Sequence, residues 1–150
     1  MKHNLGLYLA TTGSRLYGLD VAKAGIATHF CEKKHLQNLE NDLLNLKQVT
    51  DDNINSILDK YDTQSKNSQF TLNSILPNIE KAFDAKSMED VLVNLEKDNS
   101  EWAKKTLKTL QKMSPTGVKV TFKEFKVAKE MVDIKRVLEM DYRIAFRMIK

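Results

Sequence analysis

The segment Leu9-Ala10-Thr11-Thr12-Gly13-Ser14-Arg15-Leu16-Tyr17-Gly18-Leu19-Asp20-Val21-Ala22-Lys23-Ala24-Gly25-Ile26-Ala27 decides the fold. The apolar run Leu5, Leu7, Tyr8 and Leu9 forms a first helix, with Gly13 placed as its C-cap, where a positive φ costs glycine little. Asp20 stands where an N-cap opens a turn through Val21 to Ala24, and Gly25 closes that turn. Ile26-Ala27-Thr28-His29-Phe30 is the best strand candidate in the chain. A lone strand needs partners, and the rest of this sequence offers none.

Downstream of Lys33 everything reads as helix. Leu36, Leu39, Leu43, Leu44 and Leu46 recur near helical spacing. Thr50-Asp51-Asp52 sets a cap and two carboxylates at the positive end of a helix dipole, ahead of Ile54, Ile57, Leu58 and Tyr61. The polar stretch from Thr63 to Gln69 reads as a mobile loop. Phe70, Leu72, Ile75, Leu76, Ile79 and Phe83 resume the pattern, with Pro77 either kinking that helix or marking its first turn. Ser87-Met88-Glu89-Asp90 resembles a capping box with Asp in place of Glu. Ser100-Glu101 and Ser114-Pro115 open two more helices, and Asp133 a last one. Val118, Thr121, Phe122, Phe125, Ala128 and Val132 form a single stripe on the helix after Ser114. Its apolar members are expected to be buried and Lys119, Lys123 and Lys126, beside it, exposed. The fold class is therefore mainly α, with at most one or two short strands near Ile26–Phe30.

Composition narrows the function classes. The chain has 150 residues, 41% hydrophobic and 29% charged, which suits one soluble domain with a real core. Five glycines and two prolines argue against a turn-rich β fold. No apolar run approaches the roughly 18 residues of a membrane span, and no secretory signal or Arg- and Ser-rich transit peptide opens the chain. Cys31 is the single cysteine, so no internal disulfide forms. With His29 and His35 it makes a weak metal set, because zinc takes three or four ligands at recognisable spacing. Charge is asymmetric: residues 1–101 carry 11 basic and 15 acidic side chains, residues 102–150 carry 13 and 5. A basic tail of this kind suits a solvated helical surface first, and an RNA or phosphate-bearing partner second.

The opening segment, followed by Ala27-Thr28-His29-Phe30, Met113-Ser114-Pro115-Thr116 and Met140-Asp141-Tyr142-Arg143, resembles the 3-hydroxyisobutyryl-CoA hydrolase family of the crotonase (enoyl-CoA hydratase) superfamily. The resemblance runs over essentially the whole chain. It implies the C-terminal helical part of a crotonase-like α/β fold, with residues 1–31 ending the core and residues 32–150 forming the helical region. It implies that the family's chemistry, a Gly-rich oxyanion turn with a Glu and an Asp, precedes Met1, and that closing segments follow Lys150. It also implies an acyl-CoA thioester substrate, mitochondrial location, valine breakdown, contacts between subunits, and no metal or other cofactor.

Within the chain itself the chemistry is sparse. The glycines contain no Gly-x-Gly and no adjacent pair, so no oxyanion or phosphate loop is expected. Ser114 is expected to cap a helix rather than act as a nucleophile, and His3, His29 and His35 have no evident partner. Asp141-Tyr142-Arg143 reads as part of a packing helix. Lys119, Lys123 and Lys126 share one helix face, which would suit either solubility or coenzyme A phosphates. No catalytic, cofactor or metal residue is assigned. The alternative reading is non-enzymatic: a hydrolase-like mitochondrial ribosomal small-subunit protein, or a helical interaction module. No membrane partner is expected, and a nucleic-acid partner only under that alternative.

Overall fold

The computed structural model describes residues 4–62 and 68–149, and among them the chain is helical with no strand. It divides into two compact units, one over Arg15–Ser74 and one joining His3–Ser14 to Ile75–Lys150.

The second unit holds the core. Its first helix, α1 (Leu5–Thr12), buries Leu5, Gly6, Leu7 and Tyr8 in succession, so it is covered on several sides rather than along one stripe. The Thr11 and Thr12 hydroxyls, buried with it, donate to Leu7 O at 2.7 Å and Tyr8 O at 2.6 Å. That removes the penalty of burying them unpaired. Gly13 ends α1 as expected, at φ 67, with its N–H donating to Leu9 O. Around α1 pack α5 (Leu76–Phe83), α7 (Glu101–Leu110) and α8 (Pro115–Glu130), while α6 (Met88–Asp98) lies against α5 and α7. Ile79, Phe83, Val91, Leu95 and Ala103 are sealed at this junction. The last helix is α9 (Ile134–Ile149).

Cap chemistry sets these boundaries. Ser87 Oγ accepts from Asp90 N at 3.1 Å, and the Asp90 carboxylate accepts from Ser87 N at 3.1 Å, a full capping box. Ser100 Oγ accepts from Ala103 N, Ser114 Oγ from Gly117 N, and the Asp133 carboxylate from Lys135 N. Pro77 lies in the first turn of α5, where its missing N–H is no loss. Ser87→Ala removes one acceptor of the box and strands an N–H. It should lower stability by about 1 kcal/mol in denaturant melts, and an unchanged midpoint would show that the cap carries no weight.

The first unit carries α2 (Leu19–Lys23), a 3-10 turn over Lys33–His35, α3 (Leu36–Leu44) and α4 (Asp51–Tyr61). Thr50 caps α4 as expected, accepting from Asn53 N.

Several expectations are corrected. Ile26–Phe30 forms no strand: Ile26 is half exposed, and an extended segment without a ladder partner gains nothing from its β propensity. Asp20 is not an N-cap. The helix starts two residues earlier than such a cap would set it, at Leu19 after Gly18 at φ 53, and the Asp20 carboxylate accepts from the Thr71 N–H at 3.1 Å and from the Thr71 hydroxyl. Phe70 and Leu72 lie ahead of α5 in a run of turns, so the helix there is shorter than its apolar pattern. The α8 stripe is only partly buried. Phe122 is 5% exposed, but Phe125 is 38% and Val132 lies fully in solvent beyond the helix. Of the polar stretch read as a loop, residues 63–67 lie outside the described residues.

Candidate functional site

Lysines of α8 are the best sequence candidates for binding chemistry, and two of them are engaged within the protein. Lys119 Nζ pairs with the Glu89 carboxylate of α6 at 2.5 Å, and this contact holds the Glu89 carboxyl below its usual range. Lys126 Nζ sits over the Phe122 ring, 5.4 Å from its centroid, a cation–π contact. Lys123 is exposed. The Glu89–Lys119 pair rims a groove of about 260 Å³ lined by Met88, Leu92, Leu110, Met113, Pro115 and Val118. Its walls are apolar and its rim is charge-balanced. Its lining residues include no Ser, Cys or His.

The other candidates are occupied structurally. His29 Nδ1 meets Thr28 Oγ1 at 2.9 Å while Nε2 faces Asp59 at 3.9 Å. His35 lies against the Tyr61 ring at 6.3 Å, and Cys31 Sγ contacts the Glu32 carbonyl. Among the described residues, no three His, Cys, Asp or Glu side chains gather as a metal site would require. Asp141 approaches Glu124 of α8; burial first, then the Asp141 charge, pushes the Glu124 carboxyl up. Tyr142 and Arg143 are exposed, the Tyr142 ring stacking on Phe146 at 6.4 Å. Among the described residues no helix is long and apolar enough to cross a membrane.

One polar cluster had no signal in the sequence. Asp42 of α3 accepts from Lys60 Nζ and Tyr61 OH of α4, both at 2.7 Å. The Lys60 hydrogen bond, then that of Tyr61, lowers the Asp42 carboxyl, while Asp42 raises both Lys60 and Tyr61. The three clamp the α3–α4 hairpin. Because the folded carboxyl is depressed, the clamp is complete above the ordinary carboxylate range near ~3.9 and is lost as pH falls through the lower folded value. For Lys60 and Tyr61 the sign reverses: their contribution holds below ~10 and goes as pH rises through the raised values. Lys60→Met should therefore move the Asp42 titration, followed by carboxyl carbon NMR, back up toward its ordinary value. No movement would mean the pair does not persist in solution.

The full chain, residues 1–150, matches the enoyl-CoA hydratase/isomerase family. The chain belongs to that family. Similar proteins include one from Dictyostelium discoideum, 41% identical over 146 residues, covering 97% of this chain and 38% of the relative. One from Xenopus laevis is 43% identical over 144 residues, covering 94% of this chain and 37% of the relative. A human one is 40% identical over 148 residues, with 97% and 38% covered. All three are named 3-hydroxyisobutyryl-CoA hydrolase, mitochondrial. The chain thus spans less than two-fifths of the length of these relatives.

Proposed function

We propose that this chain is the C-terminal helical part of a hydrolase that cleaves the thioester of 3-hydroxyisobutyryl-CoA in mitochondrial valine breakdown. The observation that carries the reading is identity of 36–44% over nearly the whole chain to proteins that bear this name in species from slime mould to human. In this reading, the oxyanion donors and the acid and base come from the larger part of the enzyme. The helices described above form the outer layer around that part, and contacts between copies of the whole enzyme fall to the same reading.

Glycine usage supports this division. Gly13, Gly18 and Gly25 hold positive φ at helix boundaries and turns, and Gly117 packs in the first turn of α8 against Ser114. Each is placed for local structure. Nothing observed favours the ribosomal alternative: Lys119 and Lys126 are directed at Glu89 and Phe122, and the relatives carry the hydrolase name. The deciding experiment compares turnover of 3-hydroxyisobutyryl-CoA by this chain with turnover by the chain joined to the larger part of a relative.

A further inference from the structure

Where α8 gives way to α9, a cleft of about 360 Å³ opens between two unlike walls. Met131, Met140 and Ile144, all half-buried, make the apolar wall. Arg136, Glu139 and Arg143, all exposed, make the charged one. At 100° and 1.5 Å per residue, the two arginines fall roughly 20° apart around α9 and roughly 10 Å apart along it, with Glu139 on one flank and Met140 and Ile144 on the other. Glu139 stands three residues after Arg136 and four before Arg143, the spacings at which helical ion pairs form. Among the described residues, however, neither guanidinium has an ion pair. Other basic side chains of this unit are engaged: Lys119 by Glu89, Lys104 by Glu101 and Lys126 by the Phe122 ring. Two guanidiniums against one carboxylate leave this cleft with an excess of one positive charge.

We propose that this cleft binds a medium-chain aliphatic carboxylate, its head group on Arg136 and Arg143 and its chain against Met131, Met140 and Ile144. The planar guanidinium fork matches a carboxylate through two parallel N–H···O bonds, which a lysine cannot offer. The excess of a single charge selects a monoanion over a phosphate dianion. The volume, about 360 Å³, lies at the small end of ligand pockets, which run from roughly 300 to 1,000 Å³. It suits one short chain and excludes a lipid with two. Methionine stands on both sides of the cleft, from the end of α8 and from α9, and its unbranched thioether moulds to a chain of no fixed conformation. The proposal stands apart from the hydrolase reading, since it calls on no thioester chemistry.

The test is a titration of the chain, carbon-13-labelled at its methionine methyls, with octanoate. The Met131 and Met140 signals should shift and saturate, while Met88 and Met113, which line the groove beside α6, should stay in place. Octanamide, with the same chain and no charge, should bind at least about tenfold more weakly, the loss of one charge-assisted hydrogen bond. Arg136→Gln and Arg143→Gln should each weaken octanoate to a similar degree, while Arg147→Gln, beyond the cleft, should leave its affinity unchanged. Absence of any shift overturns the proposal, as do equal shifts at all four methionines, the sign of general partitioning into apolar surface. Tighter binding of octyl phosphate than of octanoate also overturns it, as does displacement of octanoate by coenzyme A, which would assign the arginines to phosphates. The comparison of octanoate with octanamide uses the unaltered chain, so it decides even where an arginine variant fails to fold. In the folded chain joined to the larger part of the Dictyostelium discoideum relative, the same two methyls should respond; loss of that response would show the cleft closed and the proposal wrong.

Discussion

Purified by itself, the chain should hydrolyse 3-hydroxyisobutyryl-CoA no faster than buffer does. Thioester cleavage passes through a tetrahedral oxyanion, and each preorganised donor to that oxygen is worth about 10²- to 10³-fold in rate. A positioned acid or base contributes about 10²- to 10⁴-fold more. The described residues bring neither element to one place. Gly13, Gly18 and Gly25 turn the chain at helix boundaries, and Ser114 Oγ accepts from Gly117 N as a cap. The Glu124 carboxyl is pushed up by burial first and then by the neighbouring Asp141 charge. Joining the chain to the larger part of a relative should raise turnover by at least about 10⁴-fold. Turnover by the short chain that survives re-purification and is lost on substituting a residue inside it would overturn the division of labour proposed here.

What was legible in the sequence follows from how local the physics is. The caps at Thr50, Ser87, Ser100 and Ser114 were readable because each bond joins residues three apart, so four consecutive letters contain the whole interaction. Gly13 was readable for the same reason. Asp20 was misread because its partner, Thr71, lies 51 residues away and competes with the local cap. The Asp42–Lys60–Tyr61 clamp was invisible until α3 and α4 folded back on each other. Ile26–Phe30 shows the converse failure. Its letters are those of a strand, but strand formation depends on a neighbour, and among the described residues no strand forms. Periodicity likewise names a face without saying what covers it. Phe122 and Phe125 belong to one stripe, yet one is buried and the other is over a third exposed.

The family was legible because its motifs are contiguous and span the chain, whereas the reaction centre was not. The two questions differ in kind. A helical region keeps its caps and core wherever it is examined, but a catalytic site assembled from distant segments exists only when all of them are present. α1 buries Leu5, Gly6, Leu7, Tyr8, Thr11 and Thr12, whereas α9 buries none of its described residues.

The largest stability effect should come from Phe83→Ala. Phe83 ends α5 with none of its surface exposed, and its ring meets Tyr8 of α1 edge to face at 5.6 Å. Tyr8 in turn lies 5.9 Å from the ring of Trp102 on α7, so one aromatic cluster ties three helices together. Truncation removes a large buried surface and leaves a cavity walled by α1 and α5, helices fixed by other contacts that limit collapse. The expected cost is about 3–5 kcal/mol, a large fraction of the roughly 5–15 kcal/mol that holds a domain together. Phe122→Ala should cost about 3 kcal/mol, since that ring is 5% exposed. Phe125→Ala, at 38% exposure, should cost under about 1 kcal/mol. Denaturant melts of the three variants should rank them in that order. If Phe83→Ala fell within about 1 kcal/mol of the parent, the α1–α5–α7 junction would not be the core of this unit, and its stability would have to rest on the helix caps and surface pairs instead.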